Sequence, residues 1–273
     1  MLSPKAVSAI RVVHPFPSLV VTAVTVAFTF LADSSPPPGK VTALGVGMLC
    51  YQFCIGLVND IVDASDDAVS KPWKAIPRGV VPRRAALLLA ALLAIAGLLA
   101  TSGLPREGWV IGAGGLGCGL AYDLWLKRTP LSWLPMSVAL PLIPVWVFVS
   151  LDRWDALLWW SFPLGGLLGL SLHLANQAPD VAAEADIHGF AHQLGPVRAR
   201  YLGILLFVMA VVVAAMVLLV DGSPWHAAAV AATGAVGAAV SVRATQLFGR
   251  DGLFGVLAIA TAAIAVVFVS AAG

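Results

Sequence analysis

The chain has 273 residues, 60% of them hydrophobic and 11% charged, with a formal net charge of +2. An ordinary soluble domain carries about 25% charged residues, so this composition, with a mean hydropathy of +0.93, excludes a soluble globular protein. The near-neutral balance gives no reason to expect a nucleic-acid partner.

Apolar runs of about 20 residues recur along the whole length and predict a polytopic, all-α membrane protein. In chain order they fall at roughly 17–33, 41–59, 85–103, 107–126, 133–150, 157–175, 201–220, 226–242 and 253–271, nine transmembrane helices in one domain spanning 1–273. Pro and Gly mark the joints, as in PPPGK (36–40) and DGSPW (221–225). The eighth and ninth runs are rich in Ala and Gly, which suits close helix packing in lipid. No short apolar segment with a small-residue cleavage site opens the chain, so no cleaved signal peptide is expected. Cys50, Cys54 and Cys118 all lie in apolar segments and read as small buried thiols. With the N-terminus inside, Lys71, Lys74, Arg78, Lys127, Arg128 and most other cations lie on inside segments. Only Lys40, Arg106 and Arg153 remain outside. That bias predicts a cytoplasmic N-terminus and an external C-terminus. Trp109, Trp133, Trp154 and Trp225 fall near span ends, where an aromatic belt would place them.

Acids are scarce, yet Asp60, Asp63, Asp66 and Asp67 crowd the inside end of the second helix, in LVNDIVDASDDAVSKPWKAIPRG (57–79). Spacings of three and four put Asp60, Asp63 and Asp67 on one face if the helix continues, with Asn59 beside them. Asp66 points elsewhere, toward solvent. A second group, LHLANQAPDVAAEADIHG (172–189), places Asn176, Asp180 and Glu184 four apart at the inside end of the sixth helix. Like-charged carboxylates on one face repel, so a cation should compensate. Mg2+ fits best, since it takes hard oxygen ligands and is commonly held by one or two carboxylates plus substrate phosphates. Zinc at Glu184, His188 and His192 is the weaker alternative, because Gly189 interrupts the register. Lys71, Lys74 and Arg78 follow the first cluster and suit a diphosphate, although topology alone would also place cations there.

These residues resemble the UbiA superfamily of intramembrane prenyltransferases. Its first signature, NDxxDxxxD, is matched at Asn59, Asp60, Asp63 and Asp67, and the following KPWKAIPRG resembles its basic stretch. Asp180-Val-Ala-Ala-Glu184 is similar to the second signature, DxxxD, with Glu184 in place of the usual aspartate. Arg78 stands where many members have a small hydroxyl residue. AYDLWLKRTP loosely resembles the family's Tyr-and-Lys loop, through Tyr122 and Lys127. The resemblance implies nine helices with both motifs cytoplasmic, in a bacterial-type plasma membrane. It implies that Asp60, Asp63, Asp67, Asp180 and Glu184 hold two Mg2+ ions against an isoprenyl diphosphate. Lys71, Lys74, Arg78, Lys127, Asn59 and Asn176 would contact substrate. An allylic cation would then be captured by a lipophilic or aromatic acceptor, near aromatic faces such as Tyr51, Phe53, Trp125 or Trp146.

His173 lies within the bilayer on the face of Asn176 and Asp180, where it could meet the acceptor and remove a proton. His14 reads as an interfacial residue ahead of the first helix. Three other functions compete. A terpene cyclase of the same superfamily would use the same acids without an acceptor. Transfer of another diphosphate-activated group, such as phosphoribose, onto a lipid carrier is also compatible. An ion-coupled transporter would need acids at the midplane, where only His173 and the prolines Pro141 and Pro144 interrupt the apolar run. The pattern of CDP-alcohol phosphotransferases is absent.

Overall fold

The structure is a computed structural model that describes residues 12–181 and 188–272. Every regular element among these residues is helical. In chain order they are α1 (Pro15–Ala32), α2 (Pro38–Val62), the short α3 (Ala64–Ser70), α4 (Arg83–Ala100) and α5 (Arg106–Ala121). A π-helical turn (Tyr122–Leu126) extends α5. Then come α6 (Leu134–Ser150), a 3-10 turn (Ala156–Trp160), α7 (Ser161–Gln177), the short α8 (Phe190–Leu194), α9 (Pro196–Val220), α10 (Pro224–Phe248) and α11 (Gly252–Val269). Proline opens α1, α2, α6, α9 and α10. At a first turn its missing N–H would have had no partner anyway.

Seven of these segments are long and apolar enough to cross a bilayer. The other two expected spans fall on shorter helices, α5 with 16 residues and α6 with 17. Their brevity has local causes. The backbone widens into the π turn after Ala121, and α6 starts only after the turns around Thr129–Trp133. Pro141 and Pro144 do not break α6, which runs as one helix through both.

The chain winds into a ring. Helix α1 packs on α2, α2 on α4 and α5, α5 on α6, α6 on α7 and α7 on α9; α10 and α11 follow, and α11 returns to α1. Two cores hold it together. One, around Leu44, Tyr51, Leu57, Trp146 and Phe148, joins the first helices to α6. The other, around Phe207, Val230 and Leu257, joins α7 to the last three. At the end away from the acids, Lys40 pairs with Asp152 at 2.9 Å and Arg153 with Asp33 at 3.3 Å, tying two loops together.

In lipid, helices gain by close van der Waals approach rather than by hiding apolar surface from water. The α6–α7 contact shows this: a β-carbon on Gly169 would stand 2.6 Å from the Met136 carbonyl oxygen. Gly169→Leu is therefore expected to force α7 off α6. Its melting temperature in detergent should fall by several degrees, consistent with about 1–3 kcal/mol of overpacking. An unchanged transition would contradict this packing account.

Candidate active site

The ring surrounds a half-open cavity of about 740 Å³ lined by α1, α2, α5, α6, α7, α9 and α11. Its wall on α2 runs from Asn59 to Met48, a depth of about 16 Å at 1.5 Å per residue. One end is polar, lined by Asn59, Asp63, Lys71, Lys74, Tyr122, Asp123, Lys127, Asn176, Gln177, Asp180, Arg250 and Asp251. The remainder is apolar, with Val24, Phe28, Met48, Ile111, Leu164 and Phe268 among its walls.

The polar end is built where α2, α5 and α7 stop and α11 begins. Helix α2 ends at Val62 and α3 begins at Ala64, with Asp63 as the junction between them. The three aspartates therefore do not share one partner, as an uninterrupted helical face would suggest. Asp60 and Asp67 converge on Lys74, whose Nζ donates at 2.7 Å to each. Asp63 turns instead to Lys127, in the loop after α5. Asp60 and Asp67 are almost fully buried beneath Lys74. Burial pulls the Lys74 ammonium toward neutrality, but Asp60 and Asp67 together outweigh it and hold its pKa above the ordinary lysine value. For Asp67 burial is the stronger influence. It outweighs the shared lysine, the nearby Asp63 charge adds to it, and the carboxyl pKa is raised.

Asp180 lies just beyond the end of α7 and closes the site from the opposite wall. Lys71 donates to its Oδ2 at 3.0 Å, and Arg250, from the α10–α11 loop, donates to its Oδ1. Asn176, one turn earlier, also lines the cavity. Glu184 and Asp186 lie outside the described residues, as do Lys5 and Arg11. Asp66 is partly exposed, pairs with Arg128 and stays out of the cavity. Arg78 is exposed on its loop and does not line the cavity. Tyr51 and Trp146 line it, whereas Phe53 and the exposed Trp125 do not.

His173 is buried and is not among the lining residues. Its Nε2 lies 3.1 Å from Ser132 Oγ, which also accepts the Phe190 N–H at 3.0 Å. The histidine thus helps to pin α8 to the α5–α6 loop.

Four groups escaped the sequence reading. His14 is the clearest: its Nε2 is 3.0 Å from Asp60 Oδ1, across 46 residues of chain, and it lines the cavity. Its backbone is left-handed (φ 48°), rare for a residue with a β-carbon. Asp123 is buried and accepts a hydrogen bond from Asn59 Nδ2 at 2.8 Å. Gln177 donates to the Tyr122 hydroxyl at 2.8 Å, and Arg250 holds Asp180. Only Asp123 carried a usable sequence signal, an acid at the end of an apolar run.

Each of these acid–base contacts places a cation against carboxylate oxygens, and an ammonium 2.7 Å from two carboxylates at once marks a point that suits a hard cation. Among the described residues no three His, Cys, Asp or Glu side chains form a metal centre by themselves. The donor set, carboxylates among lysines, suits a hard ion that completes its shell with water and substrate phosphate, as Mg2+ does; the zinc alternative at Glu184, His188 and His192 includes a residue outside the described ones.

The sequence matches the model of the UbiA prenyltransferase family over residues 19–252. The chain belongs to that family. The UbiA fold is shared by solved structures of low sequence identity. A UbiA homologue from Archaeoglobus fulgidus, bound to GPP and Mg2+, is 15% identical, with a TM-score of 0.74 over 95% of this chain and 99% of that one. An apo UbiA homologue from Aeropyrum pernix K1 is 15% identical, with a TM-score of 0.71 over 90% of this chain and 97% of that one. A digeranylgeranylglyceryl phosphate synthase is 14% identical, with a TM-score of 0.71 over 99% of both chains. No curated protein sequence matches significantly.

Proposed function

We propose that the protein transfers a prenyl group from an isoprenyl diphosphate to an electron-rich, lipophilic or aromatic acceptor within the membrane, in a reaction that requires Mg2+. One observation carries this reading: a single cavity joins a polar end, where carboxylates and cations from four loops meet, to an apolar interior long enough for an isoprenoid tail. The A. fulgidus homologue bound to GPP and Mg2+ supports it, as does the same homologue bound to DMAPP and Mg2+. The bias of loop cations supports a cytoplasmic polar end.

Asp60, Asp63, Asp67 and Asp180 would hold Mg2+, with Glu184 completing the second motif. When bound, the metal supplies positive charge to the diphosphate oxygens as the C–O bond breaks. Lys71, Lys74 and Lys127 now neutralise those carboxylates and are placed to turn toward phosphate oxygens, where charge develops in the transition state. The C–O bond's electron pair leaves with diphosphate, an electron pair of the acceptor forms the new bond to the allylic carbon, and the acceptor's O–H or ring proton is given up to the departing diphosphate or to water. Apolar walls on α1, α5 and α11 keep water from the cation, and the Tyr51 and Trp146 faces line the same space. Arg78 and His173, which do not line the cavity, are left out of the substrate contacts.

The test is pyrophosphate release by protein purified into nanodiscs, supplied with geranyl, farnesyl or geranylgeranyl diphosphate, Mg2+ and a panel of phenols, quinols and polyenes. Release should require an acceptor, and EDTA should lower it at least about 100-fold, the scale of losing one electrostatic element. Release without acceptor, yielding a cyclised hydrocarbon, would make the protein a cyclase. No release from any donor would remove the prenyl diphosphate reading.

A further inference from the structure

Asp123 has no place in the chemistry above, yet it lines the polar end of the cavity and is 3% exposed. Its Oδ1 accepts the Asn59 amide N–H at 2.8 Å, and its Oδ2 has no hydrogen-bond partner among the described residues. A buried carboxylate oxygen left in that state costs stability. It is carried on a π-helical turn, a rare form frequent at functional sites. The neighbouring acids Asp60, Asp63 and Asp180 each have a cation within reach, whereas Asp123 is met by an amide. That difference has a directional consequence. An ionised carboxylate only accepts hydrogen bonds, so Asn59 must turn its NH2 toward Asp123. The amide oxygen is then held on the opposite side of the group, away from Asp123.

We propose that Asp123 is a positioning residue that orients Asn59, fixing its amide oxygen toward the metal–diphosphate head of the bound donor. The proposal rests on the prenyl diphosphate reading and adds to it a residue outside both acidic motifs. In Asp123→Asn the shape is kept, but the new amide can offer either its NH2 or its oxygen, so the orientation of Asn59 is no longer dictated. The unpartnered charge is removed at the same time. The exchanged pair, Asn59→Asp with Asp123→Asn, restores a single solution: the new amide at position 123 donates to the new carboxylate at position 59, whose second oxygen faces the same way as the original amide oxygen.

Calorimetric titration of each protein in nanodiscs with geranyl diphosphate and Mg2+, without acceptor, reads the effect directly; the melting temperature without ligand is measured alongside. For Asp123→Asn, affinity should fall about 10- to 100-fold, the usual scale for partners that orient a metal ligand, while the melting temperature stays level or rises. The exchanged pair should return to within about threefold of wild type. Two results would overturn the inference: wild-type affinity in Asp123→Asn, or a loss there that the exchanged pair does not recover. If wild type itself fails to bind geranyl diphosphate, the prenyl diphosphate reading falls first and takes the inference with it.

Discussion

Replacing Asp60 and Asp180 together by Ala is expected to reduce turnover to background. Asp180, just beyond α7, lines the polar end of the cavity, and Asp60, in the last turn of α2, lies buried directly beneath Lys74, which lines it too. Removing either takes away an element of the cation site and also releases cations: Lys74 and His14 lose Asp60, and Lys71 and Arg250 lose Asp180. Each single variant should lose about 10²–10³-fold in rate, the size of one preorganised electrostatic contact. The double variant should fall to background, because losses of this size at two sites add in free energy. Asp66→Ala is the internal control. Its partner Arg128 is half exposed and neither residue lines the cavity, so the rate should stay within about twofold, as expected of a surface pair. Wild-type pyrophosphate release in the double variant would contradict the assignment of these acids to the diphosphate site.

Lys74→Ala should have the largest effect on the protein without ligand. Lys74 is the shared partner of Asp60 and Asp67, which are only 3% and 2% exposed. Without it Asp67 loses its ion-pair partner and Asp60 keeps only His14, and leaving a buried charge uncompensated costs about 3–5 kcal/mol. At the sensitivity of a chain of this size, that is a drop of about 10 °C in melting temperature. Added Mg2+ should recover part of the loss in the variant, because a cation that binds only the folded site stabilises it by mass action. Wild type, with Lys74 already in place, should respond less. A variant that melts like wild type, or one that Mg2+ does not rescue, would show that Lys74 is not the group that holds these acids apart.

Much of this was legible in the sequence, because hydropathy reports burial in lipid directly. Seven of the nine expected spans coincide with segments long and apolar enough to cross a bilayer, and the other two fall on the shorter helices α5 and α6. Asp63, Lys71, Lys74, Lys127 and Asp180 line one cavity, with Asp60 buried beneath Lys74. Direction was harder to see than location. A face drawn on an ideal helix put Asp60, Asp63 and Asp67 together, but Asp63, at the junction of α2 and α3, pairs with Lys127 while the other two share Lys74. The same logic aimed His173 at the acceptor, whereas tertiary packing gives it Ser132. His14 and Arg250 were out of reach for a simpler reason. Their partners lie 46 and 70 residues away, and no local pattern records a contact made by ring closure. Asp123 is intermediate: its type and setting were visible, but its bond to Asn59 depends on the π-helical turn after α5.

The central claim is positional: the diphosphate head sits at the polar end, between the carboxylates of α2 and Asp180, with the tail in the apolar interior. Its most direct test is an experimental structure with a non-hydrolysable thio analogue of geranyl diphosphate and Mn2+ in place of Mg2+, located by anomalous scattering. The account predicts metal within coordination distance of Asp60 or Asp63 on one wall and Asp180 on the other, with Lys71 and Lys74 turned from carboxylate to phosphate. Metal and diphosphate bound away from these acids, with the Lys74 bridge to Asp60 and Asp67 intact, would contradict it.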